Sequence, residues 1–410
     1  MSFEPQNDLL SKPSNESTDK ATQIANQNSA NINLKVIGVG GAGNNAIAML
    51  ESNKFQNVEF IVANTDAQAL FTNKCKNQIA LGKESRGLGA GSDPQIGAKR
   101  AQESLRDVEE KIKGADVVII AAGFGGGTGT GASPIIAEAA KNAGALTIAI
   151  VTTPFLIEGK KRTKAALEGI ERLKTKVDSY IVVSNEKLLD NYGDVPVEDT
   201  FLYSNLYLKN IIVAIHDVLY RVGKINIDYA DVRKVLDNAG LTLVGLGKAS
   251  GKDRAVKAVQ KAFDNNLYST EITGAERFLI NIQYDKTATL NEVRMAINKV
   301  NEILNKDPDV EDEIIIGQET LDTEEDIFQV SIIAGKVIEK KAKKENPVIQ
   351  ELNNELVQEQ PMISVPTKEE VKNFDNQEPI IEKSATKELN DILELDMNES
   401  ITEDDTSNWF

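Results

Sequence analysis

Short apolar runs alternate with stretches of helical periodicity along the first half of the chain. Residues 34–39 form a β-rich run, 42–50 repeat apolar positions at helical spacing, and 58–63 are apolar again. The alternation continues through strand-like 116–121, helical 132–142, strand-like 146–151, helical 160–176 and strand-like 179–183. Continuous apolar strands separated by helices predict an α/β fold with a parallel sheet covered on both faces. A long helix follows over 205–220, and then the order changes. Residues 245–251 read as a loop, 253–263 as a helix, 277–283 as a strand, 290–303 as a helix, and 313–316 and 327–333 as two further strands, a smaller α+β domain.

Length and charge narrow the function classes. At about 100–200 residues per domain, 410 residues predict two to three folded units. The net charge of −17 argues against a sequence-independent grip on nucleic acid. Residues 346–410 carry 16 acids and 4 lysines with no glycine and few bulky apolar side chains, the composition of a disordered acidic tail. Residues 1–31, rich in Asn, Ser, Gln and Thr, read as a flexible arm, and 340–344 form a short basic cluster. No apolar run approaches the roughly 18 residues that cross a bilayer, and 1–31 lack a signal-peptide core, so a cytoplasmic location without membrane insertion is expected. Cys75 and His216 are single, which excludes a disulfide framework or a Cys/His zinc site within one chain. Lys74 and Lys76 could lower the pKa of Cys75, but an incidental thiol is the preferred reading. His216, on a mostly apolar helix, reads as a core or boundary residue.

Two glycine-rich segments carry candidate chemistry. Gly38-Val39-Gly40-Gly41-Ala42-Gly43 fits G-x-G-x-x-G between a strand and a helix, where backbone amides and a helix N-terminus receive phosphate, and the acid Asp66 follows the second strand. Alone, this is a dinucleotide fingerprint and suggests an NAD-linked oxidoreductase; a tight turn without ligand would use the same glycines. The second segment, Gly123-Phe124-Gly125-Gly126-Gly127-Thr128-Gly129-Thr130-Gly131, holds six glycines in nine residues and two hydroxyls able to donate or to meet a metal. Two such loops on strand ends of one sheet suggest a ligand with several phosphates. No G-K-[ST] ending is present, so amides and helix ends would do most of the holding.

The second segment carries the G-G-G-T-G-T-G signature of the tubulin/FtsZ superfamily, and the chain resembles its FtsZ branch, bacterial cell-division GTPases, over about 32–338. The resemblance extends to Asn64-Thr65-Asp66-Ala67-Gln68-Ala69-Leu70, Gly87-Leu88-Gly89-Ala90-Gly91, Phe155 to Arg162, and Asn226-Ile227-Asp228-Tyr229-Ala230-Asp231-Val232. It implies a Rossmann-like GTPase domain (32–204), a central helix (205–224), an activation domain (225–338) and disordered termini (1–31 and 339–410). It also implies GTP or GDP with Mg²⁺ as ligands, with no protein metal-ligand set assigned.

Residue roles follow from the same resemblance. Gly40, Gly41, Ala42, Gly43, Asn44 and Asn45 resemble the first phosphate loop, with Asp66 and Gly91 beside it. Gly125, Gly126, Gly127, Thr128, Gly129, Thr130 and Gly131 correspond to the loop around the β- and γ-phosphates. Glu158 and Arg162 match ribose and base-side contacts, Asn185 a nucleotide contact, Phe201 the aromatic on guanine and Asn205 the reader of the base edge, followed by Leu206 where the family is usually polar. From local pattern alone, Phe201 would be core, Glu158 and Arg162 a surface i, i+4 pair, and Asp228 and Asp231 helix-capping acids. In the family, Asn226, Asp228 and Asp231 act in trans, completing the next subunit's site in a head-to-tail homopolymer that forms a division ring at mid-cell. The family's tail peptide binds adaptor or membrane-tethering proteins; 391–396 and the terminal Trp409-Phe410 are the candidates here. A filament protein that binds nucleotide without hydrolysing it is the remaining alternative.

Overall fold

The computed structural model describes residues 32–337 apart from 52–54, 56, 193–195, 222, 265–267, 269, 305–312 and 324. The expected N-terminal arm and acidic tail, with the basic cluster and both candidate tail peptides, lie outside the described residues.

In chain order the first part comprises β1 (Leu34–Val39), α1 (Gly40–Glu51), β2 (Val58–Asn64), α2 (Ala67–Thr72), β3 (Gln78–Ala80), α3 (Pro94–Glu103) and α4 (Leu105–Ile112). It continues through β4 (Val117–Gly123), α5 (Thr128–Asn142), β5 (Leu146–Thr153), α6 (Lys160–Lys174), β6 (Ser179–Ser184), α7 (Asn185–Tyr192) and α8 (Val197–Tyr220). Then come α9 (Tyr229–Leu236), β7 (Gly240–Leu241), β8 (Leu243–Ala249), α10 (Arg254–Phe263), β9 (Arg277–Tyr284), α11 (Leu290–Leu304), β10 (Glu313–Thr320) and β11 (Phe328–Gly335). Strands β1 to β7 pair in parallel in the order β3-β2-β1-β4-β5-β6-β7, and a mixed four-stranded sheet has the order β10-β9-β11-β8. This is the expected α/β architecture with a smaller second domain.

Burial explains why the strand runs are continuously apolar. Along β4, Val118, Ile120 and Ala122 belong to the core on one sheet face and Val117, Ile119 and Ala121 to the core on the other. The second core continues through α8, whose Leu208, Ile211, Ile212 and Ile215 are buried, into Val244, Leu279 and Ile332 of the mixed sheet. A shared core makes the long helix the joint between the two sheets. His216 on that helix is 8% exposed, packs against Phe55 and Tyr220, and places Nδ1 3.2 Å from Asp217 Oδ1, as a boundary residue would. Cys75 is buried, and burial pushes its thiol up to about 11, opposite to the lowering that flanking lysines suggested.

Two sequence expectations are corrected. Residues 245–251 are not a loop: most of them form β8. Their glycines admit α10 at close range, since a Cβ on Gly245 would lie 2.1 Å from Ala262 O and one on Gly247 2.0 Å from Ala258 O. The long helix begins at Val197 rather than 205, which puts Phe201 and Asn205 one turn apart on a single helix.

A buried ion cluster pins one end of the mixed sheet. The Arg254 guanidinium bonds to Asp285 and Asp326, and its Nε lies 2.8 Å from Glu292 Oε1. Burial raises the pKa of Asp285, but hydrogen bonds from the Thr287 hydroxyl and amide, the Ile327 amide and Arg254 outweigh it and hold the carboxyl at about 2. A carboxyl whose folded pKa is depressed stabilises above its unfolded pKa of about 4 and loses that contribution as pH falls towards about 2. Thermal melts between pH 4 and pH 2 should therefore show a shallower fall of Tm in Asp285→Asn than in wild type. Arg254→Met, which strands carboxylates, should cost roughly 3 kcal/mol at pH 7, near the lower end for breaking a buried pair, because Asp326 is 56% exposed; urea unfolding would measure it.

Candidate functional site

The parallel sheet places the two glycine segments side by side. β1 pairs with β4 in register Val39↔Ala122, and β1 is where the strand order reverses, so a crevice opens beyond the carboxyl ends of these neighbours. α1 starts at Gly40, one residue past β1, and α5 at Thr128, so two helix N-termini face the crevice. The loops also pack on each other: a Cβ on Gly40 would lie 3.0 Å from Gly129 N, and one on Gly129 3.5 Å from Val39 O. Gly41 and Gly126, by contrast, have no heavy atom within 4 Å of an added Cβ; their open sides are free for a ligand.

Side chains stitch this frame from behind. Asn44 is 3% exposed and, with its amide nitrogen facing the carbonyls, donates to Gly38 O and Gly40 O at 2.9 and 3.0 Å while accepting from Asn64. Ala42 packs against Gly123, whereas Asn45 is exposed on the second turn of α1. Thr65 and Thr128 share a hydroxyl hydrogen bond of 2.6 Å, joining the end of β2 to the second loop. Thr130 is fully buried and its Oγ1 accepts from Gly125 N at 2.8 Å, so this hydroxyl holds the loop rather than presenting a donor to the crevice. The turn containing Gly91 lies against Gly127 through Ala90 and Asp93. Asp66 caps α2, accepting from Gln68 N and Ala69 N, so one carboxylate oxygen is committed locally. Asn64 and Thr65 belong to the Asn64–Leu70 run, but sequence reasoning gave them no site role and placed only Asp66 there.

A second group closes the crevice beyond β5 and β6. Glu158 Oε1 accepts from Phe155 N at 3.0 Å, and its other oxygen pairs with Arg162. Arg162 lies alongside Gly125. Asn185 is buried and accepts from Ser204 Oγ at 2.8 Å, next to Asn205 on α8. Phe201 is 47% exposed with its ring edge-on to Phe155 at 5.2 Å. An aromatic that is neither buried nor free is a usable stacking face, the opposite of the core role that composition suggested. Leu206, beside Asn205, is half-buried.

Asn226, Asp228 and Asp231 stand apart from these residues. Asp228 Oδ1 accepts from Asp231 N and Asp231 Oδ2 from Asp228 N, a reciprocal capping box at the start of α9, and Asn226 Oδ1 accepts from Gly223 N. The next residue, Tyr229, donates its hydroxyl to Asp116 O, just before β4, and so ties this segment to the amino edge of the parallel sheet. Each capping carboxylate uses one oxygen, leaving the other for solvent or a ligand.

With this geometry in view, the comparisons with known proteins are decisive. Residues 33–193 match the Tubulin/FtsZ family, GTPase domain, and 240–338 the FtsZ family, C-terminal domain. The chain is 46% identical over 325 residues to cell division protein FtsZ of Mycoplasmopsis pulmonis, covering 79% of this chain and 82% of that protein. The chain belongs to the FtsZ family. An empty FtsZ dimer from M. jannaschii is 36% identical with a TM-score of 0.72, covering 78% of this chain and 92% of that one. CetZ2 from Haloferax volcanii, solved as a GTPγS-bound protofilament, shares the fold at a TM-score of 0.65 and 19% identity, covering 80% and 98% of the two chains. As a member of the FtsZ family the protein is a cell-division GTPase that binds GTP and GDP, which disfavours the oxidoreductase reading of Gly38–Gly43. Among the described residues no helix is long and apolar enough to cross a membrane, and no group of three or more His, Cys, Asp or Glu side chains could hold a metal.

Proposed function

We propose that the protein polymerises head-to-tail and that each joint completes one GTPase site, with Asn226, Asp228 and Asp231 of one copy acting on the nucleotide of the next. The observation that carries this reading is the separation of the two half-sites along β4. The glycine loops leave its carboxyl end, whereas Tyr229 fixes the acid segment to its amino end. Seven residues at about 3.3 Å each put roughly 20 Å between them. One copy cannot bring its own Asp231 to its own γ-phosphate; a second copy stacked on the carboxyl edge can.

The triphosphate lies over Gly41 and Gly126, with the amides at the starts of α1 and α5 directed at its oxygens. Phe201 stacks on the base, Asn205 and Asn185 read its edge, and Glu158 and Arg162 flank the ribose. Mg²⁺ would be carried on the phosphates, and the Thr128 hydroxyl would help to hold it there. The incoming acids orient a water in line with the γ-phosphate, and loss of that phosphate weakens the joint. A heterologous contact of this kind does not close, so the product is a filament. Exposed Phe71, Leu88, Leu156 and Ile157 around the carboxyl edge, and exposed Ile225 beside the acid segment, supply apolar surface for it.

Within this proposal the filament acts in the cytoplasm as a dynamic ring at mid-cell, and adaptors or tethers engage the acidic tail. The test is concentration dependence. Specific GTPase activity should rise steeply above a threshold at which light scattering and pelleting with GTP and Mg²⁺ begin. Equal specific activity in demonstrably unassembled protein would overturn the trans mechanism.

A further inference from the structure

Three consecutive side chains at the start of α7 reach three different elements. Asn185 accepts from Ser204 on α8, Glu186 Oε2 accepts from Leu156 N at 2.8 Å, and Lys187 Nζ donates to Tyr268 O in the second domain. Glu186 is the informative member. The turn Leu156–Glu158 carries Glu158 and leads to Arg162, and most of its amides are satisfied locally: Phe155 N by Glu158, Glu158 N by Phe155 O, and Gly159 N by Leu156 O. Leu156 N is satisfied from outside, by Glu186 across the β5–β6 pair. The carboxylate thus clamps the turn bearing the ribose-side pair to the helix bearing Asn185, one turn of chain from the α8 residues on the base side.

We propose that Glu186 is a positioning residue for nucleotide binding, acting through the Leu156 amide to hold Glu158 and Arg162 at the distance the nucleoside requires. This rests on the reading of Glu158 and Arg162 as nucleotide contacts. Glu186 touches no reacting atom in this account, so it sets affinity and KM rather than kcat.

Its contribution separates into a hydrogen bond and a charge. Gln at this position keeps a carbonyl acceptor but removes the negative charge from the first turn of α7; Ala removes both. The same bond can be cut from the other side. Leu156 is the first residue of its turn and follows Phe155 at φ −66° and ψ 150°, a conformation compatible with a following proline, and its side chain is 65% exposed. Leu156→Pro therefore removes the donor without a packing loss.

The experiment is calorimetric titration of GDP into unassembled protein, paired with steady-state GTPase kinetics. Losing a charge-assisted hydrogen bond should weaken GDP binding to unassembled protein about five- to tenfold in Glu186→Ala and in Leu156→Pro. In Glu186→Ala, KM should rise to match and kcat stay within about twofold, whereas Leu156→Pro, which also alters the apolar surface of the joint, is read by GDP affinity alone. Glu186→Gln should recover most of the affinity, and the Glu186→Ala, Leu156→Pro double variant should bind no more weakly than either single one. Wild-type affinity in Glu186→Ala, or additive losses in the double variant, overturns the proposal. Glu158→Ala separates the two levels: if it too leaves GDP affinity unchanged, the reading of the nucleotide site has failed, whereas a loss there with none in Glu186→Ala refutes the positioning role alone.

Discussion

Asp231→Ala should lower GTP turnover by about 10²–10⁴-fold while GDP affinity stays at its wild-type value. The affinity is spared because Asp231 belongs to the segment tied to the amino edge of β4, away from the glycine loops of its own chain. On the proposed trans mechanism, turnover falls because the neighbouring copy loses the carboxylate that holds its attacking water. The capping box complicates a simple deletion: Asp231 accepts from Asp228 N, and losing a cap costs about 0.5–2 kcal/mol of stability. Asp231→Asn resolves this, since an amide oxygen can keep the cap while the charge is gone. If Asn and Ala variants lose turnover alike but only Ala lowers Tm, the loss is electrostatic and catalytic. Phosphate release unchanged at equal polymer mass would sink the role assigned to this acid.

Gly129→Ala should fail for the opposite reason. The added methyl would lie 2.3 Å from Gly123 O, a backbone atom at the end of β4 where the same loop begins, so relief requires the start of α5 to move off the strand end and carry the loop with it. Overpacking of this sort costs about 1–3 kcal/mol; taken up by moving the loop, it becomes a roughly 5- to 150-fold loss of GDP affinity. Gly126→Ala is the informative partner. Its methyl meets no protein atom within 4 Å, so Tm should hold, and any fall in affinity reports how closely the phosphates approach. Mixing the Gly129→Ala and Asp231→Ala proteins tests both assignments at once. Each is poor alone, yet a joint between the intact loops of one and the intact acids of the other is complete. Co-sedimenting mixtures that regain no activity would refute trans completion.

Much of the architecture was legible because it is written in local pattern. β1 was read at its observed bounds, and β5 and β6 to within one or two residues, because strands of a parallel sheet buried on both faces are largely apolar. β9, which carries buried Asn281 and Gln283, was still read to within one residue from its flanking apolar positions. The elements that were missed, α2, β3, α3, α4, α7 and β7, are short or strongly polar, and tertiary contacts rather than periodicity hold them. Gly245 and Gly247 misled because glycine signals a turn as readily as a close helix approach, and only the position of α10 tells them apart. Thr130 shows the same limit within the site. Sequence offers its hydroxyl as a donor to a ligand, whereas the fold turns it towards Gly125 N.

The sequence by itself determined the family and the alternation of the longer strands and helices, since these depend on residue type and spacing along the chain. Only the tertiary structure decided which groups meet. It set the two glycine loops against each other on neighbouring strands, left Phe201 half-exposed against Phe155, and carried Asp228 and Asp231 to the opposite edge of the sheet. The physical reason is that a parallel strand separates its two ends by its full length. Whether two distant motifs share a site therefore depends on which edge each occupies, and spacing along the chain does not encode that.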